Sequence, residues 1–159
     1  MHHLSLATAK TVYLSTLKNG EVFIANADGG GHVTGVVFSD HGVLVLTGPD
    51  RFKAIEIRGT DRTPVVRCSD RTALELRVPS VHSGKKAGEP HAGRIIVDDR
   101  GLHLTFRWRN MGEDASGFSS LSLSTWKHGG VPSGIELDAW SLVRVDDHGT
   151  DVPLVTFPG

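Results

Sequence analysis

Ser39-Asp40-His41-Gly42, Asp98-Asp99-Arg100-Gly101 and Asp146-Asp147-His148-Gly149 are three versions of one four-residue phrase, each lying between two apolar, β-branched runs. An Asp or Ser stands first, where its side chain can hydrogen-bond the backbone of its own turn. A Gly stands last, where φ > 0 meets no Cβ. The phrase predicts a type I turn closed by a left-handed glycine, the three-residue hairpin loop with a G1 bulge. Three such hairpins point to an antiparallel β protein.

Outward from these turns, apolar and polar residues alternate in about twelve segments separated by turn residues. They span 11–17, 21–25, 33–38, 43–47, 52–58, 64–68, 73–78, 94–98, 102–109, 118–126, 135–145 and 152–157. No window keeps helical spacing beyond two turns, so at most one short helix fits, in 4–10 or around 111–115. Strands that follow one another without helical crossovers pair antiparallel, and this many in a small domain must form two packed sheets or a closed barrel. The expected architecture is a single all-β domain over 1–159, an antiparallel β-sandwich or jelly roll of about 10–12 strands. The alternative is a β-trefoil or other closed barrel. Against a trefoil, the three turn glycines are unevenly spaced, and too few residues follow the third.

At 159 residues the chain is long enough for one domain, burying roughly two-thirds of the surface that its unfolded form exposes. Its 17 basic and 18 acidic residues give a net charge of −1. That balance removes the broad positive field on which non-specific nucleic-acid or anionic-membrane binding depends, so neither is an expected partner. No apolar run approaches the roughly 20 residues needed to span a bilayer, and no signal-peptide core opens the chain. A soluble protein is expected, of undetermined location. Cys68 is the single cysteine, so no intrachain disulfide forms. With Val65 and Val66 on one strand, it reads as a small buried hydrophobe.

Two stretches lack apolar periodicity. The longer, 80–93 (S-V-H-S-G-K-K-A-G-E-P-H-A-G), reads as a loop carrying His82, Lys85, Lys86 and His91. It is either an interaction loop for a partner or a segment docked onto the chain's own sheet. The shorter, 110–117, is polar and acidic.

The sequence excludes more chemistry than it indicates. No Ser occupies a G-x-S-x-G elbow. Of the nine histidines, none beyond the pair His2 and His3 has metal-ligand spacing, so no metal site and no cofactor are expected. His103 reads as outward-facing with Thr105, Arg107 and Arg109, opposite Leu102, Leu104, Phe106 and Trp108. Neither 29–31 nor 83–88 has the strand-to-helix setting of a phosphate loop. In Glu136-Leu137-Asp138 the two acids leave one strand face roughly 6.6 Å apart along the backbone. This fragment resembles the start of the E-x-D-x-x-E strand of laminarinase-type glycoside hydrolases. Ser141 stands where the second Glu belongs, leaving the acid/base pair of retaining chemistry incomplete.

Trp108, Trp126 and Trp140 all fall in the C-terminal third. Exposed together they would stack sugar rings, with Glu136 and Asp138 as polar anchors; as bulky fillers, at least two belong in the core. Ser120, Ser122 and Ser124 share one face of a strand, against which another backbone can lie closely. The absence of a catalytic constellation leans against an enzyme. It favours a non-enzymatic structural or assembly module acting through protein–protein contacts, such as a virus-particle component or homo-oligomer subunit. The alternative is a β-sandwich that binds carbohydrate or another ligand, and the second alternative is a hydrolase of unfamiliar type.

Overall fold

The computed structural model describes residues 11–27, 29–68, 72–109 and 117–159. The two helix candidates and nearly all of segment 110–117 lie outside them. The strands are β1 (Thr11–Tyr13), β2 (Val22–Asn26), β3 (His32–Phe38), β4 (Gly42–Val45), β5 (Lys53–Glu56), β6 (Pro64–Arg67), β7 (Ala73–Arg77), β8 (Gly84–Lys86), β9 (Ile95–Asp98), β10 (Gly101–Trp108), β11 (Phe118–Ser122), β12 (His128–Gly129), β13 (Ile135–Leu137), β14 (Trp140–Val145) and β15 (Asp151–Phe157). The one helical element among the described residues is a 3-10 turn, Leu14–Thr16. No helix there is long and apolar enough to cross a membrane.

The large sheet runs β1-β6-β2-β3-β4-β5-β10-β9-β13-β8, with β11 on the other edge of β10 and β12 beyond it. A second, antiparallel sheet is β15-β14-β7. The all-β sandwich expectation holds, and no closed barrel forms among the described residues. One pairing departs from the antiparallel rule. β5 runs parallel to β10 through Lys53↔Arg107 and Ala54↔Trp108, while β9 pairs with the start of the same edge. β9 and β5 thus lie end to end along β10. They meet where Gly93 backs onto Phe52: a Cβ on Gly93 would stand 2.5 Å from the Phe52 ring.

Packing explains which residues became strands. Val36, Phe38, Leu104 and Phe106 of the large sheet meet Trp140, Leu142 and Val155 of the small one in the main core. The other face of β2–β6 is also buried. There Phe23, Val37, Val43 and Val65 pack under Leu14 of the 3-10 turn and Leu17, which follows it. This two-sided burial accounts for the unbroken apolar run Val36-Val37-Phe38, since each fully buried side chain of this size contributes about 1.5–3 kcal/mol. Cys68 is buried, as expected.

Three expectations are corrected. Segment 135–145 is two strands, not one. β13 pairs with β9 in the large sheet and β14 with β7 and β15 in the small one. The chain therefore changes sheets at Asp138-Ala139, and inward-facing positions slip from Leu137 to Trp140. Segment 80–93 is not a free loop, because β8 pairs with β13 as Ile135↔Lys86, Glu136↔Lys85 and Leu137↔Gly84. Finally, Gly101 (φ +117) and Gly149 (φ +76) take the left-handed conformation, but Gly42 does not. In the first turn Ser39 (φ 47) and Asp40 (φ 67) are left-handed instead. Gly42 answers a different need, as its Cβ would stand 2.6 Å from the Phe38 ring.

Candidate functional site

The three tryptophans do not form a platform. Trp140 is 1% exposed and stacks on Phe157 at 5.8 Å and 20°. Trp108 lies at the margin of the main core, donates its Nε1–H to Ser119 Oγ at 3.1 Å, and meets Phe106 and His128 edge-on. Trp126 covers Gly20, whose Cβ would approach its Nε1 to 2.8 Å.

The two acids are likewise engaged, by different partners. Glu136 sits between Arg94 Nε at 3.4 Å and Lys85 Nζ at 3.7 Å. Asp138 accepts bonds from the Ser83 hydroxyl and, at 2.9 Å, the Ser83 N–H. These two bonds, the hydroxyl first, hold its carboxyl below the usual carboxylate range. Asp138 and β8 together dock segment 80–93 onto the chain's own sheet. His82, Lys85, Lys86 and His91 all remain exposed along it. His82 Nδ1 lies 2.9 Å from the Pro79 carbonyl. Among the described residues, no group of three or more His, Cys, Asp or Glu side chains is placed to hold a metal ion.

The feature that sequence reasoning missed lies on the other face of β10. His103 is 7% exposed and Thr105 1%, so the expectation that this face points outward is overturned. Thr105 is covered by the 91–94 segment: its hydroxyl meets the His91 carbonyl and accepts the Arg94 N–H. His103 stands instead in the wall of a cleft of about 420 Å³ between the β9–β10 turn, β11 and segment 125–132.

Each wall of this cleft is tied in place. His103 Nε2 lies 2.8 Å from Asp98 Oδ1, and the same oxygen accepts the Arg100 N–H at 2.9 Å. The Arg100 guanidinium meets the other oxygen at 3.3 Å. Burial pushes the Asp98 carboxyl up, but the bonds from His103 and Arg100 outweigh it, and the group lies below the ordinary carboxylate range. On β11, Ser120 donates its hydroxyl to the Gly130 carbonyl at 2.9 Å. The surface expected to accept another backbone has therefore accepted the chain's own. Ser122 stands directly across the ladder from His103, its Oγ 3.1 Å from Ser124 Oγ. His128 is held from below by the first turn. Its N–H donates to Ser39 Oγ at 2.9 Å, and its Nδ1 lies 2.7 Å from the same atom.

A second concavity, about 480 Å³, opens between β2 and β7 beside Trp126, Glu21 and Cys68. Burial pushes the Cys68 thiol up, away from the thiolate form that reactivity requires. The fixed imidazole singles out the His103 cleft as the better candidate site. One sequence signal could have found it: the tight β9–β10 turn pairs Asp98 with Gly101, which places His103, two residues on, diagonally beside Asp98. Comparison with protein-family models finds no match, and comparisons with curated proteins and with solved structures find none either.

Proposed function

We propose that this chain is a non-enzymatic interaction module that works through protein–protein contacts, with the His103 cleft as its point of recognition. The observation that carries this reading is the fixed lining: Asp98 orients His103, Ser39 holds His128, and Gly130 takes the Ser120 hydroxyl. A surface ordered in advance loses less conformational freedom on association.

The rival readings have weaker support. A sugar platform requires indoles on one accessible face, whereas Trp140 is buried and Glu136 and Asp138 are engaged within the protein. Serine hydrolysis needs a base within hydrogen-bond reach of its nucleophile. Asp98 and His103 supply an acid–imidazole pair, but among the described residues His103 bonds no hydroxyl, and Ser122 Oγ is engaged by its own turn. Edge-to-edge assembly through β8 is disfavoured by its short length and its exposed Lys85 and Lys86, which discourage strand addition.

Amide chemical shifts under titration with a pooled peptide library test the reading. The expected result is saturable shifts at 100–103 and 120–130. Shifts confined to other surfaces count against it, as does ester or glycoside turnover that His103→Ala abolishes.

A further inference from the structure

We infer that the His103 cleft is an oxyanion site, built to take a carboxylate or phosphoryl group presented on an acidic peptide segment. The inference rests on the interaction reading above and adds to it the chemistry of what is recognised.

The charges at the cleft have one sign. Arg100 and Lys127 line it, together with His103 and His128, and among the described residues no carboxylate does. The carboxylate behind this wall, Asp98, has its oxygens occupied by His103, the Arg100 N–H and the Arg100 guanidinium. Asp98 and Arg100 offset each other, which leaves the Lys127 ammonium as the net charge. The concentration is local, because the whole chain carries −1. A cleft of this size admits one oxyanion with its stem, and cationic groups converging on a concave, partly dehydrated site act more strongly than the same groups on an open surface.

His103 leaves one ring nitrogen free to meet a ligand. Its Nε2 is the nitrogen engaged by Asp98, so Nδ1 is the ring nitrogen without a protein partner among the described residues. The groups facing His103 are Asp98 from β9, Arg100 from the β9–β10 turn, Ser122 from β11 and Lys127 and His128 from the segment beyond.

Three pentapeptides of one sequence test this, with Asp, phosphoserine or Asn at the centre, titrated while the amides of 100–103 and 120–130 are followed. The expected result is saturable binding of the Asp or phosphoserine peptide, at least about fivefold tighter than that of the Asn peptide, since a single charge contact of about 1 kcal/mol corresponds to that ratio. Preference between the two acids identifies carboxylate or phosphoryl as the source. Lys127→Ala, at an exposed position, is expected to lose most of the discrimination. Binding of the Asn peptide as tight as that of the acids, at the same amides, overturns the oxyanion site and leaves the interaction reading standing. Absence of shifts at those amides with all three peptides overturns both.

Discussion

The first and third turns share Asp-His-Gly after a leading Ser or Asp, yet they are built in opposite senses. In the third, the bonds run inward. Asp146 Oδ1 accepts the N–H groups of His148 and Thr150 at 2.9 Å each, and the Gly149 N–H returns to the Asp146 carbonyl at 3.0 Å. In the first, they run outward. The Ser39 N–H donates to the Trp126 carbonyl at 2.9 Å, Ser39 Oγ receives the His128 N–H, and the Asp40 N–H goes to Asn19 Oδ1 at 2.7 Å. A turn phrase specifies its backbone where its hydrogen bonds are local. Where neighbours supply the partners, they offset the strain of left-handed Ser39 and Asp40. The outward turn is also the one that holds the candidate site, through His128.

The two glycines should therefore fail for different reasons. Gly42→Ala drives a methyl group into the fully buried Phe38 ring, and is expected to cost about 2–3 kcal/mol as overpacking. Trimming the obstruction with Phe38→Leu in the same chain should return part of that loss. Denaturant unfolding of the single and double variants measures the coupling. Strict additivity would mean that the ring is not what excludes a side chain at 42.

Trp126 extends the contrast to a third turn, where a bulky residue holds φ +58. Replacing it with Gly relieves about 1 kcal/mol of backbone strain but strips the indole from Gly20, where a partly buried aromatic contributes more. Trp126→Gly is expected to destabilise by about 1–2 kcal/mol net. A gain in stability would show that backbone preference, and not packing, dominates at this turn.

How much of this was readable in the sequence follows the same division between local and distant causes. Alternation located the strands because its cause is local, and the inward-turning third phrase was read correctly for that reason. The switch of sheets after β13 left a trace, a three-residue step from Leu137 to Trp140 in place of two. That step carries its meaning only once both sheets are known. His103 and Thr105 looked outward because their covers come from elsewhere, segments 91–94 and 125–132. β8 was invisible for a related reason. Gly84-Lys85-Lys86 has no apolar member, and Gly84 is needed because a Cβ there would stand 2.4 Å from an Ile135 methyl, some fifty residues on.

The inward turn should respond more weakly and in its own way. Gly149 has open space around its missing Cβ, so Gly149→Ala meets backbone strain alone, about 1 kcal/mol, and Gly149→Asn should recover most of it because Asn tolerates the left-handed region. Its acid adds a pH dependence through the same bonds. The Asp146 carboxyl is held below its usual range, first by the Thr150 backbone bond and then, against some desolvation, by that of His148. A carboxyl whose folded pKa is depressed stabilises fully above its unfolded value, about 4, and loses that contribution as pH falls through the folded value. The stability advantage of wild type over Asp146→Asn should therefore be largest near pH 6 and shrink toward pH 2. At Gly42 the added methyl meets the apolar Phe38 ring, so the cost of Gly42→Ala should be the same at both pH values. A difference for Asp146→Asn that is flat with pH would mean that its backbone bonds do not depend on the carboxylate charge. The inward and outward turns would then be alike in their electrostatics, differing only in where their partners lie.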